Sequence, residues 1–373
     1  MNGEDPADED DDPGGTGGAG TPLSDPTTGD LPPGATAGRS STPRRGLVLG
    51  AGGVLGFTWM VGALTALEEV EGFDARDVEV CVGTSAGSIL ATLLGLGVGV
   101  ETILRHQRGV PLPADPRIDW DYDRDGGGAL PPRPGLGVGS ADLLLQVARH
   151  PRRLPPLAAM SALLPRGRAS LRPVGRMVDS VAATAAERLD AAGWPTRPRV
   201  WVVALDYDRG QRVAFGQEMA PPARLSDGVM ASCAIPGWYA AVRIDGRRYV
   251  DGGTCSPTSL DLLAGAGLDE VWVLAPMASF AVDRPRSPVA RVERRFRRTV
   301  TRRVLAEAGR LRDSGTALTM LGPGPEDLRA MGANLMNPRR RALVLATALR
   351  TSANALRRDV GANDAAHPVS ALQ

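Results

Sequence analysis

The segment Val80-Cys81-Val82-Gly83-Thr84-Ser85-Ala86-Gly87-Ser88 constrains this chain more than any other, because an apolar run meets G-x-S-x-G and passes at once into an Ala/Leu/Ile-rich helical pattern. A serine on so sharp a strand-to-helix turn tolerates no bulk beside it. Gly83, Ala86 and Gly87 lift the Ser85 hydroxyl above the sheet edge, and the new helix aims its free N–H groups at the same point. So short a motif also arises by chance in a chain with 46 glycines.

A second glycine turn lies upstream. Arg45-Gly46-Leu47-Val48-Leu49 reads as a short buried strand, Gly50 to Gly56 as a turn, and Phe57 to Val70 as an apolar pattern at helical spacing. Such a turn presents consecutive amides to an anion. For an ester-cleaving serine the anion is the tetrahedral oxyanion; the alternative is a dinucleotide pyrophosphate, with Gly50, Gly52 and Gly56 near the Rossmann spacing and Glu71 downstream. Leu55 at the third glycine position weakens that alternative. Further on, Asp245-Gly246 between two alternating runs predicts a type I′ hairpin, which sets Asp251 at a strand end with Gly252 and Gly253 leaving room beside it. An aspartate there serves a turn or a reaction.

Taken in order, these pieces resemble the patatin-like phospholipase family. Its glycine-rich oxyanion loop matches Gly50 to Gly56, its G-x-S-x-G matches Gly83 to Gly87, and its D-G-G/A matches Asp251 to Gly253. A fourth match, Ala231-Ser232-Cys233-Ala234-Ile235-Pro236, is similar to the small-residue segment that precedes the hairpin. The resemblance covers roughly residues 44–320, with one departure: Leu55 stands where family members usually carry arginine or lysine. It implies a three-layer α/β fold with a central, mostly parallel sheet flanked by helices. It also implies a Ser–Asp dyad, with Ser85 as nucleophile, Asp251 as base, and the amides of Gly50, Gly52 and Gly53, helped by the helix starting at Ala86, holding the oxyanion. No cofactor or metal is expected. The implied partner is a lipid or other acyl ester, cleaved through an acyl-enzyme.

Composition narrows the alternatives. All 43 basic residues are arginine, which removes P-loop lysines, Schiff bases and Tyr-x-x-x-Lys pairs. A net charge of +1 supplies no global field for nucleic acid. Cys81, Cys233 and Cys255 lack paired spacing and read as small buried residues rather than disulfides or zinc ligands. Of the three histidines, His106 and His150 read as surface residues, whereas His367 preserves the Ser, Asp, His order of an α/β-hydrolase triad. A triad esterase using His367 and a non-catalytic lipid- or nucleotide-binding module therefore stand as alternatives. A base of carboxylate type predicts activity persisting into mildly acidic pH unless Asp251 is strongly perturbed, whereas imidazole fails near about 6.5.

Along the chain, residues 1–43 are acidic, then Gly/Pro/Thr/Ser-rich, and are expected to be disordered. They lack the apolar core of a secretory signal, and Ile89–Val100 is too short and glycine-interrupted to span a membrane, so a cytoplasmic location with peripheral membrane contact is expected. Residues 44–320 form the hydrolase domain, interrupted by a Pro/Gly-rich insertion at about 110–170, and 321–373 a helical extension with a poorly ordered tail. Helices are expected near 171–191, 259–266 and 339–358, and strands at 200–205 and 271–274. Within the insertion, Leu154–Leu164 is apolar between Arg152, Arg153, Arg166 and Arg168, a lipid-facing lid or a satellite core under a loop. Asp121, Asp123, Asp125 and Gly126 imitate half a calcium loop, but Pro132 stands where the bidentate glutamate belongs. From Pro288 to Asp313, Val289, Val292, Phe296, Val300, Val304 and Leu311 recur among Arg294, Arg295, Arg297, Arg298, Arg302 and Arg303, an amphipathic basic helix for a membrane surface or for the domain itself.

Overall fold

The computed structural model describes residues 43–366 apart from 123–124, 134, 150–155, 282, 284 and 286. The expectations for residues 1–42, His150, Arg152, Arg153, Asp123 and His367 lie outside the described residues. The first half of the chain runs β1 (Arg45–Leu49), α1 (Gly53–Glu71), β2 (Val80–Thr84), α2 (Ala86–Gly95), α3 (Val100–Arg108), α4 (Ala141–Arg149), α5 (Pro156–Leu163) and α6 (Arg172–Ala183). Then come β3 (Arg199–Asp206), β4 (Gln211–Phe215), α7 (Leu225–Cys233), β5 (Val242–Ile244) and β6 (Arg247–Asp251). The chain continues through β7 (Glu270–Leu274), α8 (Pro288–Arg312), β8 (Ala317–Leu321), α9 (Pro325–Met331) and α10 (Arg341–Ala366).

The strands form one sheet in the order β5-β6-β3-β2-β1-β7-β8, with β4 paired to β3. From β3 to β8 every neighbouring pair along this order is parallel. Such strands are buried on both faces, and period-2 alternation divides their side chains between two cores. Leu47, Leu49, Cys81, Val202 and Leu274 face α1, α2, α6, α7 and α10. Val48, Val80, Val82, Val203 and Val273 face α8 and a 3-10 turn at Leu260–Leu263. This is the three-layer α/β arrangement.

Differences from the sequence expectations have local causes. The helix expected at 259–266 is only that single 3-10 turn, and α6 stops at Ala183. The boundary drawn after residue 320 falls inside β8, and α10 packs along α1, where a Cβ on Gly62 would lie 2.9 Å from Ala348 Cβ. The C-terminal helix is thus part of the first core, contributing Val344, Leu345 and Ala348. Its apolar positions were legible, but their partner is not written in local spacing. One described helix, α1, is long and apolar enough to cross a membrane, and 67% of its apolar stretch is buried in the protein.

Helix α2 lands directly on the end of β1. An added Cβ at Gly87 would sit 1.9 Å from Leu49 O and 2.4 Å from Leu49 C, both backbone atoms that cannot yield. We therefore expect Gly87→Ala to destabilise the fold by more than about 4 kcal/mol, the range reserved for severe steric conflicts. Urea unfolding would measure it, and a midpoint equal to the wild type would refute this account of the packing.

Candidate active site

The site begins with a register. β4 occupies one edge of β3 along Val202–Asp206, so β2 and β6 share the other. β2 pairs with β3 as far as Thr84↔Val203, and β6, running the opposite way, takes over at Asp251↔Ala204. The two strands meet end to end, bringing their last residues, Thr84 and Asp251, and therefore Ser85, to one point. Gly252 is required where they meet, since a Cβ there would lie 2.4 Å from Val203 O. The hairpin that returns β6 has Asp245 at φ 46° and Gly246 at φ 73°, both positive as a type I′ turn demands.

Ser85 sits at φ 54°, ψ −122°, a sparsely populated conformation costing about 1–3 kcal/mol, which neighbouring bonds offset. Its N–H donates to Ser232 Oγ at 2.8 Å, and Ser232 in turn donates to Val203 O at 2.6 Å. Its carbonyl accepts from Ser88 N and from Ser88 Oγ at 2.8 and 2.7 Å. Ser232 is thus a splint between the elbow and β3. The small-residue segment around it was noticed in sequence; what it does was not.

Asp251 is buried, its Oδ1 accepts from Gly253 N at 2.7 Å, and the neighbouring Ser85 hydroxyl favours its charged form. Burial pushes the carboxyl up to about 6, against the opposing effects of Ser85 and the Gly253 amide. This removes the expected contrast with imidazole, because a carboxylate so perturbed titrates close to a histidine.

The glycine loop divides its amides. Gly50 N donates to Leu274 O at 2.9 Å and Ala51 N to Pro257 O at 2.8 Å, so Gly50 belongs to the scaffold and its amide is not available to an oxyanion. Gly52 and Gly53, at the start of α1, donate to no described protein group. Gly53 has φ +59°, and a Cβ on Gly52 would strike Pro276 Cγ at 2.7 Å, so neither tolerates a side chain. Gly253 approaches the same loop, an added Cβ lying 3.2 Å from Ala51 Cβ. Leu55 is fully buried and its N–H donates to Leu335 O at 2.9 Å, so this position contributes packing in place of charge. Glu71 ends α1, roughly 27 Å of helix from Gly53, too far to meet the ribose of a dinucleotide held at the loop.

An apolar pocket opens onto Ser85, walled by Phe57, Ile89, Val174, Met177 and Ile235. The insertion supplies its roof through Ile118, Trp120 and Tyr122. The structure corrects the reading of His106 as a surface residue. It is half-buried, with Nε2 2.9 Å from Ile118 O and Nδ1 3.2 Å from Tyr122 Oη, and burial lowers its pKa. Since a carbonyl only accepts, the neutral Nε2–H tautomer satisfies both bonds and fastens the roof. Further ties run from Tyr239 Oη to Gly126 O and from Asn334 Nδ2 to Ala129 O. Sequence gave no sign that this histidine faces Ile118, a contact set by loop path alone. In the acidic turn, Asp125 Oδ2 accepts from Asp121 N at 3.0 Å, and no cluster of three metal-ligating side chains occurs among the described residues. Cys81, Cys233 and Cys255 are free, buried thiols. α5 buries Ala158 and Ala162 while Met160 and Leu163 stand exposed, so the segment has both a core side and an open side.

A strand-end serine on a glycine elbow, an aspartate at the end of the strand that meets it and an apolar pocket stand together in a three-layer α/β fold. The patatin-like phospholipase family profile matches residues 47–264, more than half of the chain, and the chain belongs to that family. No curated protein matches the sequence. Among solved structures, VipD from Legionella pneumophila is similar at 15% identity over 85% of this chain and 67% of its own, with a TM-score of 0.41. The type III effector ExoU matches at 19% identity over 85% of this chain and 53% of its own, with a TM-score of 0.37. ExoU of Pseudomonas aeruginosa bound to SpcU matches at 16% identity over 72% and 53%, with a TM-score of 0.33. The chain thus spans about half the length of the ExoU chains.

Proposed function

We propose that this protein is a serine acyl hydrolase that cleaves carboxylic esters of lipids through a Ser85–Asp251 dyad. The observation that carries the reading is the end-to-end meeting of β2 and β6 on one edge of β3, which brings Ser85 next to the buried carboxylate of Asp251. In this reading Ser85 Oγ attacks the ester carbonyl while Asp251 accepts its proton. The carbonyl electron pair moves onto oxygen, and the resulting oxyanion is held by the amides of Gly52 and Gly53 and by Ala86 at the start of α2. Collapse expels the alcohol, which takes the proton from Asp251, and leaves an acyl-enzyme whose chain lies in the apolar pocket. Water then gives a proton to Asp251 and attacks the acyl carbon. As Ser85 leaves it recovers that proton, and the free acid departs.

The direct test is labelling with a fluorophosphonate followed by peptide mass spectrometry. The expected product is one phosphonylated peptide, modified at Ser85. Modification of another serine, or none under conditions where the protein hydrolyses p-nitrophenyl butyrate, would overturn the assignment.

A further inference from the structure

The amphipathic row expected along α8 does not form one face. Positions four apart advance 400°, so a row built mainly on that spacing winds about 40° per step around a 3.6-residue helix. Val300, Val304 and Leu311 consequently enter the core, whereas Val289, Val292 and Phe296 remain exposed at 64%, 69% and 42%. The arginines divide the same way. Arg294 and Arg297 are buried: Arg294 pairs with Glu293 and Asp283, Arg297 pairs with Glu293, and Arg297 Nη1 donates to Pro276 O at 2.6 Å. Both carboxylates of the helix are committed, Glu293 to these two and Glu307 to Arg303 and Thr258.

What remains outside is an exposed row, Arg291, Arg295, Arg298 and Arg302, confined to a sector of about 60° and ion-paired to no described carboxylate. It is flanked by the Val289–Val292–Phe296 edge. We propose that this face of α8 docks the protein on an anionic lipid bilayer, the arginines meeting head-group phosphates while Val289, Val292 and Phe296 enter the interface. Charge complementarity argues for an anionic surface. The apolar edge argues for lipid over nucleic acid, whose phosphate backbone makes no use of valine or phenylalanine. Position adds a third argument, for Arg297 anchors the helix to Pro276, which packs on Gly52 of the glycine loop. The docking helix is thus tied to the strand-end loop beside Ser85, while the pocket lies in the layer across the sheet.

The test is flotation of the full chain with vesicles of phosphatidylcholine carrying increasing phosphatidylglycerol. Wild-type binding should rise with phosphatidylglycerol and fall with salt. The triple variant Arg295→Gln/Arg298→Gln/Arg302→Gln should bind about a hundredfold more weakly, at roughly fivefold for each arginine near the surface. Phe296→Ser should weaken binding while leaving its salt dependence in place. All variants should keep wild-type turnover of soluble p-nitrophenyl butyrate, and Ser85→Ala should bind vesicles like wild type, which separates this proposal from the catalytic one. Undiminished flotation of the triple variant would overturn it, as would equal binding to pure phosphatidylcholine or tighter binding to duplex DNA than to anionic vesicles.

Discussion

Asp251→Asn should lower kcat/KM on acyl esters by about 10²–10⁴ while making the protein more stable at neutral pH. The loss follows from general-base catalysis, since an amide cannot take the Ser85 proton. The gain follows from burial. Asp251 is raised from the ordinary carboxylate range to about 6 in the fold, so the stability contributed by its protonated form is fully present below about pH 4 and is lost as pH rises through about 6. At neutral pH the buried charge costs about 3 kcal/mol, from about 1.4 kcal/mol per pH unit between the two pKa values. Asparagine removes that charge and keeps an oxygen for the Gly253 amide. Thermal melts should therefore show the variant more stable than wild type at pH 8, with the difference shrinking toward pH 4. A variant less stable at every pH would show that the carboxylate is structural. Wild-type kcat/KM should fall on acidification below about pH 6, as the base becomes protonated. Because imidazole titrates nearby, the decisive control is His367→Ala, expected to be silent for a dyad and as damaging as loss of the serine for a triad.

Ser85→Ala should abolish both turnover and fluorophosphonate labelling and leave the fold intact. The substitution removes only a hydroxyl; the backbone bonds that hold the strained turn, Ser85 N to Ser232 Oγ and Ser88 N to Ser85 O, survive it. Serine and aspartate act as one unit in the proposed mechanism, so the double variant Ser85→Ala/Asp251→Asn should be no slower than Ser85→Ala alone. Stopped assays on a lipid ester would measure this. Multiplicative losses in the residual rate would mean that Asp251 acts independently of Ser85, and undiminished turnover in Ser85→Ala would remove the nucleophile from the scheme altogether.

What could be read before any tertiary structure was whatever local chemistry forces. The elbow glycines admit only a tight strand-to-helix turn, Asp245-Gly246 admits a primed hairpin, and the apolar runs at 46–49, 80–82 and 271–274 admit buried parallel strands. These elements carry both Ser85 and Asp251, and their order carried the family. Other features depend on partners distant in the chain, which no local spacing encodes. Only the folded sheet decided that β2 and β6 meet end to end on β3, and that Ser232 braces the elbow. It likewise decided that the Gly50 amide is spent on Leu274, that His106 fastens a roof over the pocket, and that burial lifts Asp251 to about 6. Helix α8 shows the division most plainly. Its period was evident from spacing, but the direction in which each turn faces was set by the sheet on which it packs, because a four-residue row winds around the helix and only contact determines where it goes under.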